Sequence, residues 1–166
     1  IAKELAPVLM AVLIAGRIGS AMTAEIGSMR VYQEIDALRT MNINPVHFLV
    51  LPRLTALAVA LPMLVTIAIV VGWMGGALVA TANARIAVSF EAFFHALRSA
   101  VDLLDVLNGV FKSFMFALII GMISCHQGLI TRGGPRGIGR SVTKAVVNSI
   151  VLIVISDYFL TRILLK

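Results

Sequence analysis

The chain has 166 residues, of which 60% are hydrophobic and only 13% are charged, and its mean hydropathy is +1.00. This composition excludes an ordinary water-soluble domain, because such domains carry about 25% charged residues. The net charge of +6 does not indicate nucleic-acid binding, since the basic residues flank apolar runs and form no patch interleaved with aromatic side chains.

Four apolar runs are long enough to cross a bilayer, which requires about 20 helical residues. They cover approximately residues 5–28, 54–82, 108–128 and 142–165. None shows the alternation of a membrane β-strand, whereas helices satisfy their own backbone polar groups in lipid. The sequence therefore predicts an all-α polytopic membrane protein with a single transmembrane domain over residues 1–166. Because the chain begins at Ile1 without a leader sequence, we expect this domain to be N-terminally incomplete.

The first run carries two charged residues, Arg17 near its middle and Glu25 about two turns further on. A lone arginine at the bilayer centre costs about 2.5–3.5 kcal/mol, so its side chain should face other helices or a wet cavity. We therefore predict that Arg17 and Glu25 belong to a functional cavity. The predicted partners of Glu25 are basic residues of a later connector: Arg136, Arg140 and Lys144. Small residues at three- and four-residue spacing predict close helix packing: Gly16, Gly19, Ser20, Thr23, Ala24 and Gly27.

Residues 31–42 predict a short amphipathic helix. It spans about 15 Å at ~1.5 Å per residue, which is too short to cross a bilayer, so it lies at the surface or contacts a partner. Asn44 and Pro45 are expected to end it, because proline disfavours helical geometry in the residue before it. Its apolar stripe includes Val31, Ile35, Leu38 and Met41, and its polar face carries Glu34, Asp36 and Arg39.

Lys112 in the third run and Asp157 in the fourth lie at depths that differ by about one helical turn. An ion pair between them is therefore feasible. Two interpretations stay open, since the pair either holds the two helices in register or contributes to a substrate cavity.

The connectors predict which ends of the spans face the cytoplasm. Residues 129–143 contain arginines and no acidic residue, whereas residues 83–108 balance basic residues with acidic ones. The positive-inside rule therefore places 129–143 in the cytoplasm and 83–108 outside, and the order of the spans places 31–42 in the cytoplasm too. Aromatic and apolar residues at helical spacing predict a short interfacial helix in the outer connector: Phe90, Phe93, Phe94 and Leu97.

No motif predicts a catalytic or metal site in this chain. The pattern G-x-x-x-x-G-R-S from Gly134 to Ser141 resembles a phosphate-binding loop, but it follows a membrane helix where that loop requires a strand. Cys125 and His126 are adjacent, so their side chains diverge by about 100° on a helix. Neither a zinc-protease motif nor a nucleophile-elbow motif occurs.

Three segments, AGRIGSAMTAEIGSMRV, EIDAL and NP followed by LVLPR, resemble the MlaE/YrbE permease family. The resemblance extends over essentially the whole chain, and its first block is the most specific part. It implies the transmembrane permease subunit of an MCE-type ABC transporter that moves phospholipids between the inner and outer membranes of bacteria and so maintains outer-membrane lipid asymmetry. The expected location is the bacterial inner membrane.

The family resemblance also implies an assembly around this subunit. We expect a homodimer, a cytoplasmic ABC ATPase that binds ATP and magnesium, a periplasmic MCE-domain subunit and, in some members, a STAS-domain protein. No cofactor is expected in this chain. Residues 31–42 would be the coupling helix that contacts the ATPase. Family members have about five membrane helices, of which the last four are visible here.

Three alternatives remain open at the level of the sequence. Some relatives take other hydrophobic substrates such as sterols, so the substrate class is not fixed. The chain also fits a non-catalytic membrane scaffold for MCE proteins. A membrane enzyme acting on lipids would need a nucleophile, a base or a metal site, which the sequence does not assemble.

Overall fold

In the computed structural model, residues 4–82 and 90–164 are described, and within these ranges the chain is helical with short connectors and no strand. This confirms the all-α fold. The elements in chain order are α1 (Leu5–Ile14), a π-helical turn (Ala15–Gly19), α2 (Ser20–Val31), α3 (Glu34–Thr40), a second π-helical turn (Val46–Val50), α4 (Leu51–Ala82), α5 (Phe90–Ala100), α6 (Leu103–Leu129) and α7 (Gly134–Leu164).

Four helical stretches are long and apolar enough to cross a membrane, as predicted. They are Leu5–Val31, Val46–Thr81, Leu103–Leu129 and Gly134–Leu164. The last three begin earlier than the apolar runs, because each helix continues through a charged residue near the start of the run: Arg53, Asp105 and Arg140. In α6, for example, the Asp105 carboxylate accepts a hydrogen bond of 3.4 Å from the Asp102 backbone N–H and stabilises the first turn.

Helix α6 lies at the centre of the bundle and packs against α1, α2, α4 and α7. Large apolar side chains from four helices are fully buried around it: Ile26, Leu61, Val65, Ile69, Phe116, Ile120 and Ile153. Glycines allow the backbones of the first span and α6 to approach closely. A Cβ atom on Gly128 would lie 2.7 Å from Ile26 Cβ, and one on Gly19 would lie 2.9 Å from Ser124 Oγ.

The predicted small-residue stripe of the first span divides between two surfaces. Gly19, Thr23 and Gly27 face α6 and the connector after it, and the Thr23 hydroxyl donates a hydrogen bond of 3.0 Å to the Ser124 carbonyl oxygen. Gly16, in contrast, is exposed and has no atom within 4 Å of an added Cβ. One part of the stripe therefore packs within this chain, while Gly16 stays open to another molecule.

The two ends of the bundle carry different connectors. A Cβ atom on Gly27 would lie 3.1 Å from Thr131 Oγ1 in the connector between α6 and α7. The end of α2 and this connector therefore meet at the same end of the bundle. We call this the α3 end, and the opposite end, where α5 lies, the α5 end. Residues 31–42 and 129–143 thus share an end, as predicted. Helix α5 also confirms the helix predicted around Phe93 and Phe94, with Phe90 as its first residue.

Candidate functional site

Helix α3 is bounded by two residues in the left-handed conformation. Gln33 before it and Asn42 after it both have a φ angle of 61°. The helix is therefore shorter than the predicted 31–42, and Val31 is the last residue of α2. The predicted stop at Asn44 and Pro45 was wrong, because the chain already turns at Asn42, and asparagine tolerates the left-handed conformation better than most residues.

Contacts on one side fix α3 against the bundle. Ile35 is 1% exposed, and Leu38 is partly buried beside it. Arg30 Nη1 at the end of α2 donates a hydrogen bond of 2.9 Å to Asp36 Oδ1, while Arg39 Nη1 lies 3.8 Å from the same oxygen. The candidate coupling residues Ile35, Leu38 and Asp36 therefore hold α3 in place.

The other side of α3 is open. Glu34 and Arg39 are exposed, and so are Tyr32 and Met41 at the two ends of the helix. The predicted apolar stripe is thus only partly buried, since Met41 is 68% exposed. An exposed tip with aromatic, apolar and charged side chains on a fixed short helix is suited to contact with another protein.

Glu25 pairs with Arg53, a partner that the sequence pattern did not predict. Arg53 Nη2 in the first turn of α4 lies 3.0 Å from Glu25 Oε2. The predicted partners were wrong: in the described ranges, Arg136, Arg140 and Lys144 of α7 form no ion pair with this carboxylate. The α3 hairpin brings the start of α4 beside α2, so Arg53 reaches Glu25 first. In the sequence, this pair is indicated only by the positive charge of Arg53 at the start of the second span.

Arg17 lies near the middle of the first span, in the π-helical turn between α1 and α2. Its side chain is exposed, and no carboxylate within residues 4–82 or 90–164 pairs with it. Leu9 and Leu13 on the preceding turns are also exposed, as is Gly16. Single π-helical turns inside α-helices are frequent at functional sites. Arg17 is thus a mid-span cation on an open apolar face.

Lys112 is engaged inside the bundle. Its Nζ atom lies 3.0 Å from Asp157 Oδ1 and 2.5 Å from Thr161 Oγ1, and its side chain is 3% exposed. The predicted ion pair between α6 and α7 is therefore present. Asp157 is 23% exposed and borders an open cavity of about 570 Å³ at the α5 end, so the carboxylate alone connects this pair with the surroundings.

Candidate catalytic groups do not converge in the described ranges. No group of three or more His, Cys, Asp or Glu residues there is arranged to hold a metal ion. Cys125 is buried and His126 is exposed, as expected for neighbours on a helix. The G-x-x-x-x-G-R-S segment forms the first turns of α7, so it is not the loop between a strand and a helix that binds phosphate.

Four membrane-crossing helices, a fixed short helix at one end and, within the described residues, an unpaired mid-span arginine on an open face define a polytopic membrane protein. Comparison with protein families identifies the family. The model of the family described as Permease MlaE matches residues 1–163, and the chain belongs to this family.

Curated relatives support this assignment. The chain is 42% identical over 164 residues to the "Probable ABC transporter permease protein slr1045" of Synechocystis, and 40% identical to the "Probable ABC transporter permease protein RT0041" of Rickettsia typhi. Both alignments cover 99% of this chain and 62% of the relative. A plant relative, "Protein TRIGALACTOSYLDIACYLGLYCEROL 1, chloroplastic" of Arabidopsis thaliana, is 38% identical over 96% of this chain and 45% of its own length. The chain thus spans less than two thirds of these proteins.

Proposed function

We propose that this chain is the membrane-spanning permease part of an ABC transporter that moves phospholipids between the inner and outer membranes, and that it lies in a bacterial inner membrane. Family membership and the printed names of the relatives support the transporter class, and the plant relative is named after a glycolipid. The observation that carries the lipid proposal is Arg17, an exposed and unpaired cation at mid-span.

The face around Arg17 matches the chemistry of a phospholipid. Exposed apolar side chains such as Leu9 and Leu13 suit acyl chains, whereas the guanidinium is a strong donor for a phosphate group. A second copy of the chain would close this face, because Gly16 leaves room for the close approach of another helix. The transport cavity would then lie between the two subunits of a homodimer.

Helix α3 is suited to receive movement from a cytoplasmic ATPase. Its exposed tip is available for docking, and two ion pairs connect its surroundings to the spans. Arg30–Asp36 joins α3 to α2, and Glu25–Arg53 joins α2 to α4. A push on α3 would therefore reach two membrane helices. The ATPase would bind ATP and magnesium, with a STAS-domain protein beside it in some assemblies, and an MCE-domain subunit would contact the α5 end.

Lipid transfer by variants of Arg17 tests this proposal. The full-length permease, reconstituted with its ATPase and MCE subunit, should transfer phospholipid at least about tenfold more slowly as Arg17→Gln, because a charge-assisted hydrogen bond contributes about 1.5–3 kcal/mol. Arg17→Lys should retain most transfer, since the positive charge remains. Thr66→Val, which removes an exposed polar group near the middle of the second span, serves as the control.

Two results would contradict the proposal. Normal transfer by a correctly assembled Arg17→Gln complex would remove Arg17 from the lipid path. Identification of a sterol instead of a phospholipid in the purified wild-type complex by mass spectrometry would contradict the substrate class. A complex whose ATPase is disabled should assemble but transfer no lipid, and continued transfer would favour a passive scaffold.

A further inference from the structure

A cavity of about 320 Å³ at the α3 end is strongly basic. It is lined by four cationic side chains from the α6–α7 connector and the first turns of α7: Arg132, Arg136, Arg140 and Lys144. Their spacing of four residues places those on α7 along one face. No carboxylate lines this cavity, and no ion pair in the described parts of the chain involves these four residues. The cavity therefore attracts anions.

An apolar groove adjoins this cavity on the same pair of helices. The groove, of about 520 Å³, lies between α6 and α7, and Gln127 lines both spaces. Its walls include the exposed apolar side chains Met122, Val151 and Leu152, and the polar residues His126 and Asn148 lie nearer the basic cavity. The two spaces thus form one continuous surface, which we call the α6–α7 groove.

The charges and the apolar walls of this groove are arranged along the membrane normal. Val151 lies seven residues beyond Lys144 on α7, which corresponds to about 10 Å at ~1.5 Å per residue. This separation takes the groove from the headgroup region into the hydrocarbon region. A free phosphate ion makes no favourable contact with the apolar part of the groove. An acidic surface of a soluble protein does not reach into the bilayer.

We propose that the α6–α7 groove binds an anionic phospholipid of the adjoining leaflet. The arginines hold the phosphate, and one acyl chain lies between α6 and α7. Several cations without carboxylates favour lipids with a net negative charge over zwitterionic ones. The site shares no residue with the face around Arg17, so it goes beyond the proposed transport path and does not depend on it.

Native mass spectrometry of the full-length protein in detergent tests this site. Dioleoylphosphatidylglycerol should bind at least about tenfold more tightly than dioleoylphosphatidylcholine, and the double variant Arg136→Gln/Arg140→Gln should lose most of this preference. The control is Arg162→Gln, an exposed arginine at the opposite end of the same helix, which should leave binding unchanged. Arg136→Lys/Arg140→Lys keeps the charge and should retain the preference, which separates loss of charge from loss of fold.

A second measurement distinguishes a lipid from a free phosphate. Val151→Trp fills the apolar groove and should weaken phosphatidylglycerol binding several-fold, while inorganic phosphate at millimolar concentration should compete poorly with the lipid. Equal binding of both lipids, an unchanged preference in the double glutamine variant, or efficient displacement by phosphate would each overturn the proposal. It would also be overturned if the double variant lost only ATPase assembly and kept its lipid preference.

Discussion

We predict that removing either partner of the Lys112–Asp157 ion pair lowers the stability of the protein by a different amount. Asp157→Ala leaves the Lys112 ammonium in a site where its side chain is 3% exposed, with only the Thr161 hydroxyl as a partner. Removing one partner of a buried ion pair costs about 3–5 kcal/mol, because the remaining charge is uncompensated. We therefore expect Asp157→Ala to be strongly destabilising.

The reverse substitution should cost less. Lys112→Met leaves Asp157, whose side chain is 23% exposed and borders an open cavity, so water can solvate the carboxylate. An incompletely buried acceptor without its partner costs about 1–3 kcal/mol. The double variant Lys112→Met/Asp157→Ala removes both charges and should lie close to the wild type, since apolar replacement of a buried pair is often neutral.

Unfolding of the full-length protein in mixed micelles, followed by circular dichroism, measures these four forms as a double-mutant cycle. Because the double variant should lie close to the wild type, the coupling energy should equal the summed costs of the two single variants, about 4–8 kcal/mol, with Asp157→Ala the least stable form. Additive effects of the two substitutions would refute the reasoning, because they would mean that the pair does not interact. Equal destabilisation by the two single variants would refute the argument from burial.

Two further predictions concern packing and coupling. Gly128→Ala should destabilise the bundle by about 1–3 kcal/mol, because the new Cβ would lie 2.7 Å from Ile26 Cβ. The control Gly75→Ala places no atom within 4 Å of the new Cβ, so it should be neutral or slightly stabilising in the same unfolding assay. Similar effects of both substitutions would contradict the close contact of α2 with α6. Arg30→Asp should reduce stimulation of the partner ATPase in the reconstituted complex, and Arg30→Asp/Asp36→Arg should restore that stimulation. The stability of both variants should change by less than about 1 kcal/mol, because the ion pair is exposed. If the double variant does not recover ATPase stimulation, this ion pair is not part of the coupling.

The membrane-crossing helices and the Lys112–Asp157 pair could be predicted from the sequence. The length and composition of an apolar run determine whether it can cross a bilayer, and each helix adds about 1.5 Å of depth per residue. The depth of a charged residue can therefore be counted along the chain. Two charges of opposite sign at similar depth in neighbouring spans have a strong reason to pair.

The α3 region could not be predicted to the same degree. Its bounds depend on Gln33 and Asn42 adopting left-handed conformations, which the pattern of apolar residues does not encode. The pairing of Glu25 with Arg53 follows from how α3 folds back, and not from any spacing along one helix. Similarly, the groove beside the basic residues of α7 could not be predicted, because it arises from the packing of α6 on α7.

The seam between the first span and α6 has little clearance, because Gly19 and Gly128 each leave no space for even one extra carbon atom without displacing a neighbour. Helices interlocked in this way resist sliding past one another, so they move as a rigid body. If α3 receives force from an ATPase, as proposed above, that force would tilt this half of the molecule as a unit, and a passage would open and close at its outer faces instead of through its interior.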